Sequence, residues 1–231
     1  MDGAARRRPV RSTTAIWRFR DMDGFDGLRH MMVDCQLRTY DVTDRAVLTA
    51  ADEVPREAFL PADLSHLAYL DQAVPLPGTG RALMAPMVVA RMIQTLDVAE
   101  GEDALEYGGG SGYGAALMAR MGAHATLWET DSEALSLAEK ALQGTGVSVT
   151  AKRPAGESFD VVLVGGACEV VPETLFALLR EGGRLVVVEG AGRSARVKLY
   201  RKSGASVSGR PVFDAAAPVL SEFRKPAEFV F

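Results

Sequence analysis

Histidine, cysteine, tryptophan and long apolar runs are all scarce in this 231-residue chain. Its three histidines are His30, His66 and His124. None is spaced with a carboxylate or a cysteine as a ligand set, which argues against a zinc site. Cys35 and Cys168 lie far apart and lack a C-x-x-C partner. They read as buried small hydrophobes in a reducing, cytoplasmic setting and not as a disulfide framework. No stretch approaches 18 apolar residues, so no segment is expected to cross a membrane as a helix, and no membrane partner is expected.

Positive charge is also short, with a formal net charge of −4. Six of the 26 basic residues and one of the 30 acidic ones fall within residues 1–20, leaving the rest of the chain at −9. An acidic body suits a nucleic-acid groove poorly, and no nucleic-acid partner is expected. The arm carrying Arg6, Arg7, Arg8, Arg11, Arg18 and Arg20 is expected to be a disordered extension over residues 1–27, with Met22 as a possible working start. Its composition also suits a nucleic-acid tail or a transit peptide, and it lacks the apolar stretch of a secretory signal. What the chain does have is 48% hydrophobic and 24% charged residues, enough for one α/β domain with an appendage.

The chain is organised around Asp103-Ala-Leu-Glu-Tyr-Gly-Gly-Gly-Ser-Gly-Tyr-Gly-Ala115. A short apolar run, a glycine cluster and an Ala/Leu-rich stretch predict strand, tight turn and helix, the helix over Gly112 to Met121. Such a turn lets a ligand approach the backbone and the helix N-terminus. Gly110-Ser-Gly112-Tyr-Gly-Ala115 satisfies a dinucleotide pattern, and Glu129 lies about 20 residues on, where a ribose-binding acid belongs. Glu106 points elsewhere. A carboxylate at the turn would repel a diphosphate but suits a nucleoside carrying an ammonium, such as S-adenosylmethionine. A nicotinamide or flavin cofactor and a ligand-free glycine connection stay open as alternatives.

Glu106-x-Gly108-x-Gly110-x-Gly112 followed by Glu129 resembles the nucleotide motif of the class I methyltransferases. Met32-Val-Asp-Cys-Gln-Leu-Arg38, Val54-Pro-Arg56, Phe59-Leu-Pro61, Ala68-Tyr-Leu-Asp71 and Gly182-Gly-Arg-Leu-Val186 resemble the protein-L-isoaspartate O-methyltransferases within that class. The resemblance implies an α/β fold: a doubly wound, mostly parallel, Rossmann-like seven-stranded sheet with an antiparallel C-terminal edge and an N-terminal helical cap. It divides the chain into cap and substrate loop (28–84) and methyltransferase domain (85–231). The cofactor implied is S-adenosyl-L-methionine, held by Glu106, Gly108, Gly109, Gly110, Ser111, Gly112, Glu129 and Gly165. The partners implied are isoaspartyl peptides or proteins. A relative that binds the donor but acts on another acceptor, or on none, is the alternative.

The family's substrate loop carries Thr-x-Ser-x-Pro, with hydroxyls beside the acceptor carboxylate. Aligned on Pro86, this chain has Ala82 and Met84 at the two hydroxyl positions. A hydrogen bond to a charged group is worth roughly 1.5 to 3 kcal/mol, so their loss weighs on acceptor binding; Thr79 is the nearest substitute. No acid or base is expected among Ala82, Met84 and Pro86. Adenine contacts are expected to be thin, or rebuilt by Lys152 or Glu157, because the family's Asp-Gly pair is missing before residue 159.

Further elements follow from patterning. Residues 28–60 are expected to be helical, with Thr43 capping a second segment. A helix is expected over 85–96, strands over 125–129, 147–151, 159–164 and 181–188, and helices over 131–142 and 171–179. Residues 196–201 and 206–213 should pair as antiparallel strands, and the apolar tail from Pro218 should pack down.

Overall fold

The structure, a computed structural model, describes residues 24–154 and 158–226. Most of the arginine arm, Glu157 and the last five residues lie outside them. The described chain opens with α1 (Phe25–Met32), which starts inside the span expected as extension. A π-helical turn (Val33–Leu37) and a 3-10 turn (Arg38–Tyr40) carry it to Asp41, where a φ of 63° ends the run. Val33 and Leu37 are the buried positions of the π turn, so Cys35 between them is exposed, correcting its expected burial. α2 (Arg45–Glu53) is capped by Asp44 and not by Thr43. The Asp44 carboxylate accepts the amides of Ala46 and Val47, 2.7 and 3.2 Å away. β1 (Val74–Pro75) and β2 (Ala82–Leu83) pair antiparallel, so the substrate loop is the tip and return of a small hairpin. α3 (Pro86–Leu96) opens with proline, whose missing N–H is harmless in a first turn.

The remaining elements are β3 (Asp103–Tyr107), α4 (Tyr113–Arg120), β4 (His124–Trp128), α5 (Ser132–Ala141), β5 (Ser148–Thr150), β6 (Phe159–Cys168), α6 (Glu173–Phe176), β7 (Leu179–Glu189), β8 (Arg196–Ser203) and β9 (Ser206–Asp214). Among the described residues, seven of these strands form one sheet in the order β5-β4-β3-β6-β7-β8-β9. The first five run parallel, while β8 and β9 are antiparallel, as the sequence predicts. On β9, Pro211 faces Lys198 beside a register shift.

Two elements depart from expectation. β6 runs on through Gly165–Cys168, because residues 218–220 pair beside it at Ala167. α6 has four residues instead of nine, because the Leu178 carbonyl accepts the Phe159 amide (2.8 Å) and draws the chain early into the sheet.

The sheet is buried on both faces, which accounts for its near-continuous apolar strands. One cluster runs from the cap (Leu37, Val47, Leu48) through Met92 and Ile93 to Leu163 and Val186. The other packs Leu105, Val162 and Leu185 against Leu175 and Leu179. β3 lies between β4 and β6, so the chain reverses its winding direction there. Open α/β sheets bind ligands beyond the carboxyl ends of the strands at that point.

Candidate functional site

Beyond β3 the chain turns through Gly108, Gly110 and Gly112, with φ of 65°, 63° and 84°, a backbone that side chains rarely adopt. Gly112 then caps α4. The glycines face different neighbours. A Cβ on Gly112 would lie 2.7 Å from a Leu142 methyl and 3.0 Å from one of Leu127, so this glycine serves core packing. Gly109 and Gly114 make room for Glu106, whose carboxyl group would lie 2.2 Å and 2.5 Å from added Cβ atoms. Glu106 is therefore tucked beneath the turn, 2% exposed, with Oε2 accepting the Ala115 amide at 2.6 Å. Burial pushes its pKa up to about 7 against the opposing pull of that amide, and the charge of Glu129 adds to the rise.

Glu129 follows β4 and is fully buried. Oε2 accepts the Gly110 amide and Oε1 the Asp131 amide, each at 2.9 Å. The acid thus stands at the end of β4, where the sequence places it, and is docked on the glycine turn. Its remaining partner was not foreseen. Arg81, in the hairpin tip, reaches both oxygens with Nε at 2.9 and 3.1 Å. Its Nη2 donates to Thr130 Oγ1 and Glu222 Oε1, both at 3.0 Å, and Nη1 to Glu222 Oε2 at 3.2 Å. Tyr107 donates its hydroxyl to Glu222 Oε1 at 2.8 Å. Burial works against the Arg81 charge, yet Glu129 and Glu222 outweigh it and raise its pKa. Asp131 ties the same hairpin down, accepting the Gly80 amide with Oδ2 while Oδ1 caps α5.

Carboxyl-terminal residues close the other side. The Ala167 amide donates to the Pro218 carbonyl (2.8 Å) and the Leu220 amide to Ala167 (2.9 Å). Leu220 covers the turn, its methyl 3.1 Å from where a Gly108 Cβ would stand. Leu76 covers Gly110 in the same way at 2.7 Å. Gly165 is packed against backbone: an added Cβ would lie 2.4 Å from Gly109 Cα.

Ala82 and Met84 lie against Glu106, Gly165 and Arg56 around a cavity of about 10 Å³. Both are buried, and Pro86 is buried at the start of α3. The Thr79 hydroxyl donates to the Leu76 carbonyl (2.8 Å) and accepts the Arg81 amide (3.0 Å), so it is engaged within its own turn. Arg56 is fully buried, donates to the carbonyls of Ala68 and Met84, and stacks 4.8 Å above the Tyr113 ring. Burial lowers its pKa to about 10. Ser111 Oγ, Trp128 Nε1 and Arg56 Nη1 are buried without a hydrogen-bond partner, and all three surround this end of β3. A larger cavity, of about 720 Å³, opens at the amino ends of the strands beside Asp103, His124 and Arg180, away from the glycine turn.

The structure thus brings Glu106, residues 108–112, Glu129, Gly165, Ala82 and Met84 to one place. In chemistry these residues fit the nucleoside expected from the sequence: a buried carboxylate that receives donors, a glycine backbone that brings no side chain of its own, and unpartnered polar atoms nearby. The space itself is taken up by Arg81, Leu76 and Leu220. No local signal in the sequence marks Arg81 or Glu222; only the apolar tail hints that residues 218–223 are packed.

The family described as Protein-L-isoaspartate(D-aspartate) O-methyltransferase (PCMT) matches residues 29–216. Protein-L-isoaspartate O-methyltransferase 1 of Rhodopseudomonas palustris (strain HaA2) is 37% identical over 193 residues, covering 79% of this chain and 78% of the relative. The Methylorubrum populi protein-L-isoaspartate O-methyltransferase is 37% identical over 185 residues, covering 77% and 87%. A solved protein-L-isoaspartate O-methyltransferase superposes with a TM-score of 0.70 at 25% identity, over 83% of this chain and 65% of its own. A Plasmodium falciparum structure assigned to the same family, in complex with S-adenosyl-L-homocysteine, gives 0.71 at 18% identity over 84% and 98%, a likeness of fold.

Proposed function

The chain belongs to the protein-L-isoaspartate O-methyltransferase family, and from that premise we propose that it methylates the α-carboxylate of L-isoaspartyl residues in damaged proteins, using S-adenosyl-L-methionine. The observation that supports it most is the buried Glu129 carboxylate docked on the Gly110 amide at the end of β4. That is where a ribose diol would be received.

When bound, the donor supplies an electrophilic methyl group on a sulfonium. Glu129 and residues 108–112 would hold its nucleoside part, and Glu106 the side bearing the ammonium. The chain's own task is then alignment and exclusion of water. A carboxylate acceptor is ionised at neutral pH and needs no general base. Orientation of this kind can supply about 7 to 11 kcal/mol of a barrier. Ala82 and Met84 offer an apolar, buried wall in place of hydroxyls. Arg56 lines the same cavity and supplies positive charge toward an anion. Cys168 has no nucleophilic part, since burial pushes its thiol up. Two cysteines without a disulfide partner, one of them exposed, accord with a cytoplasmic setting. No described helix is long and apolar enough to cross a membrane.

The missing hydroxyls favour one competing reading, a donor-binding relative with a different acceptor. Radiolabelled methyl transfer to an isoaspartyl peptide, beside its aspartyl control, separates the two. An alkali-labile ester on the isoaspartyl peptide alone is expected. Donor binding without that ester would turn the assignment to the competing reading.

A further inference from the structure

The nucleoside seat is built and then filled by the chain itself. An ionised carboxylate offers about four acceptor positions. Those of Glu129 are taken by two backbone amides and by Arg81, which bridges both oxygens. A guanidinium N–H and a ribose hydroxyl are the same kind of group to this acid, since both donate. The two therefore compete for one place. The surface of the glycine turn is covered as well, by Leu220 at Gly108 and Leu76 at Gly110. The cavity left beside it, about 10 Å³, is at the lower edge of the roughly 10 to 15 Å³ that a single water needs, far too little for a nucleoside.

We propose that Arg81 and Glu222 form a latch over the ribose seat: Arg81 stands in for the diol on Glu129, and the segment Pro218–Phe223 holds it there until the donor displaces both. The inference rests on the donor-binding reading above. The segment is held by few backbone contacts and by two buried side chains, Leu220 and Phe223, which leave their apolar cluster when it lifts. It joins β6 at a single bridge, Ala167 with Val219, flanked by two hydrogen bonds, and the Phe223 carbonyl accepts the amides of Glu169 and Val170. The Arg81 side chain is 3% exposed and that of Glu222 28%, so the latch is reachable from water at its Glu222 end and sealed at its Glu129 end. Once Arg81 leaves, the carboxylate it vacates is the one the donor needs. One exchange thus opens the seat and frees a cation beside the substrate loop.

The test measures S-adenosyl-L-homocysteine binding to the full chain by calorimetry, for the unaltered protein, Glu222→Ala and Arg81→Gln. Glu222→Ala acts at the partly exposed end and leaves Glu129 paired, so it keeps the test valid should Arg81→Gln fail to fold. Both variants are expected to bind at least tenfold more tightly than the unaltered chain. Hydrogen exchange at residues 218–223 is expected to speed up when the ligand is added. Binding to the unaltered chain with no gain in the variants, or protection of 218–223 by the ligand, overturns the latch and leaves donor binding standing. Absence of binding in all three proteins overturns the donor reading and the latch together.

Discussion

Glu106 sits in a pocket that is too dry for its charge. The unfolded carboxyl titrates near 4.5 and the folded one near 7, mainly through burial. Folding therefore favours the protonated form, and this group's contribution to stability is fully present below about pH 4.5 and is lost as pH rises to about 7. The interval corresponds to about 3 kcal/mol. Glu106→Gln keeps an acceptor for the Ala115 amide without the charge, so denaturant melts between pH 5 and 8 should show a flatter pH dependence and higher stability at pH 8. A ligand bearing an ammonium reverses the preference, because it stabilises ionised Glu106. The Kd for S-adenosyl-L-homocysteine should thus weaken as pH falls below about 7 in the unaltered protein and stay flat in Glu106→Gln. A pH-independent Kd in the unaltered chain would show that Glu106 does not meet the ammonium.

At the scale of elements, the site depends on two backbones meeting. The end of β6 and the turn after β3 touch where Gly165 faces Gly109. A Cβ there would lie 2.4 to 2.8 Å from backbone atoms, none of which is the end of a flexible side chain. Gly165→Ala should lower stability by roughly 1 to 3 kcal/mol, the usual effect of forcing atoms into a packed interior, and should weaken donor binding by shifting the turn. A thermal melt and a calorimetric titration check both. This juxtaposition also marks how far the sequence is readable. The strand, glycine turn and helix around Glu106 were legible because spacing along fewer than fifteen residues encodes them. Glu129 was legible as the acid one crossover later. Cap placement at α2 was off by one residue, since Asp44 and Thr43 both qualify locally and only the geometry chooses. Arg81 and Glu222 were not legible, because 141 positions separate them and neither lies in a periodic pattern. Their pairing exists only after the hairpin has met the end of β4 and the tail the end of β6.

For the molecule as a whole, cap and sheet share one apolar cluster, and Arg56 binds them together by donating to Ala68 and Met84 while stacking on Tyr113. Arg56→Met would leave both carbonyls buried without donors, at about 1 to 3 kcal/mol each. For a domain of this size the melting temperature should fall by at least about 4 °C, in one transition. Two separated transitions would show instead that the cap unfolds on its own. The outer strand β9 gives the molecule another property. Pro211 offers no amide, and the neighbouring register shift twists the row of carbonyls out of line. The opposite margin, β5, is only three residues long. Both features blunt the margins of the sheet as templates for a foreign strand, so the exposed edges are poor sites for one copy of the chain to pair with another.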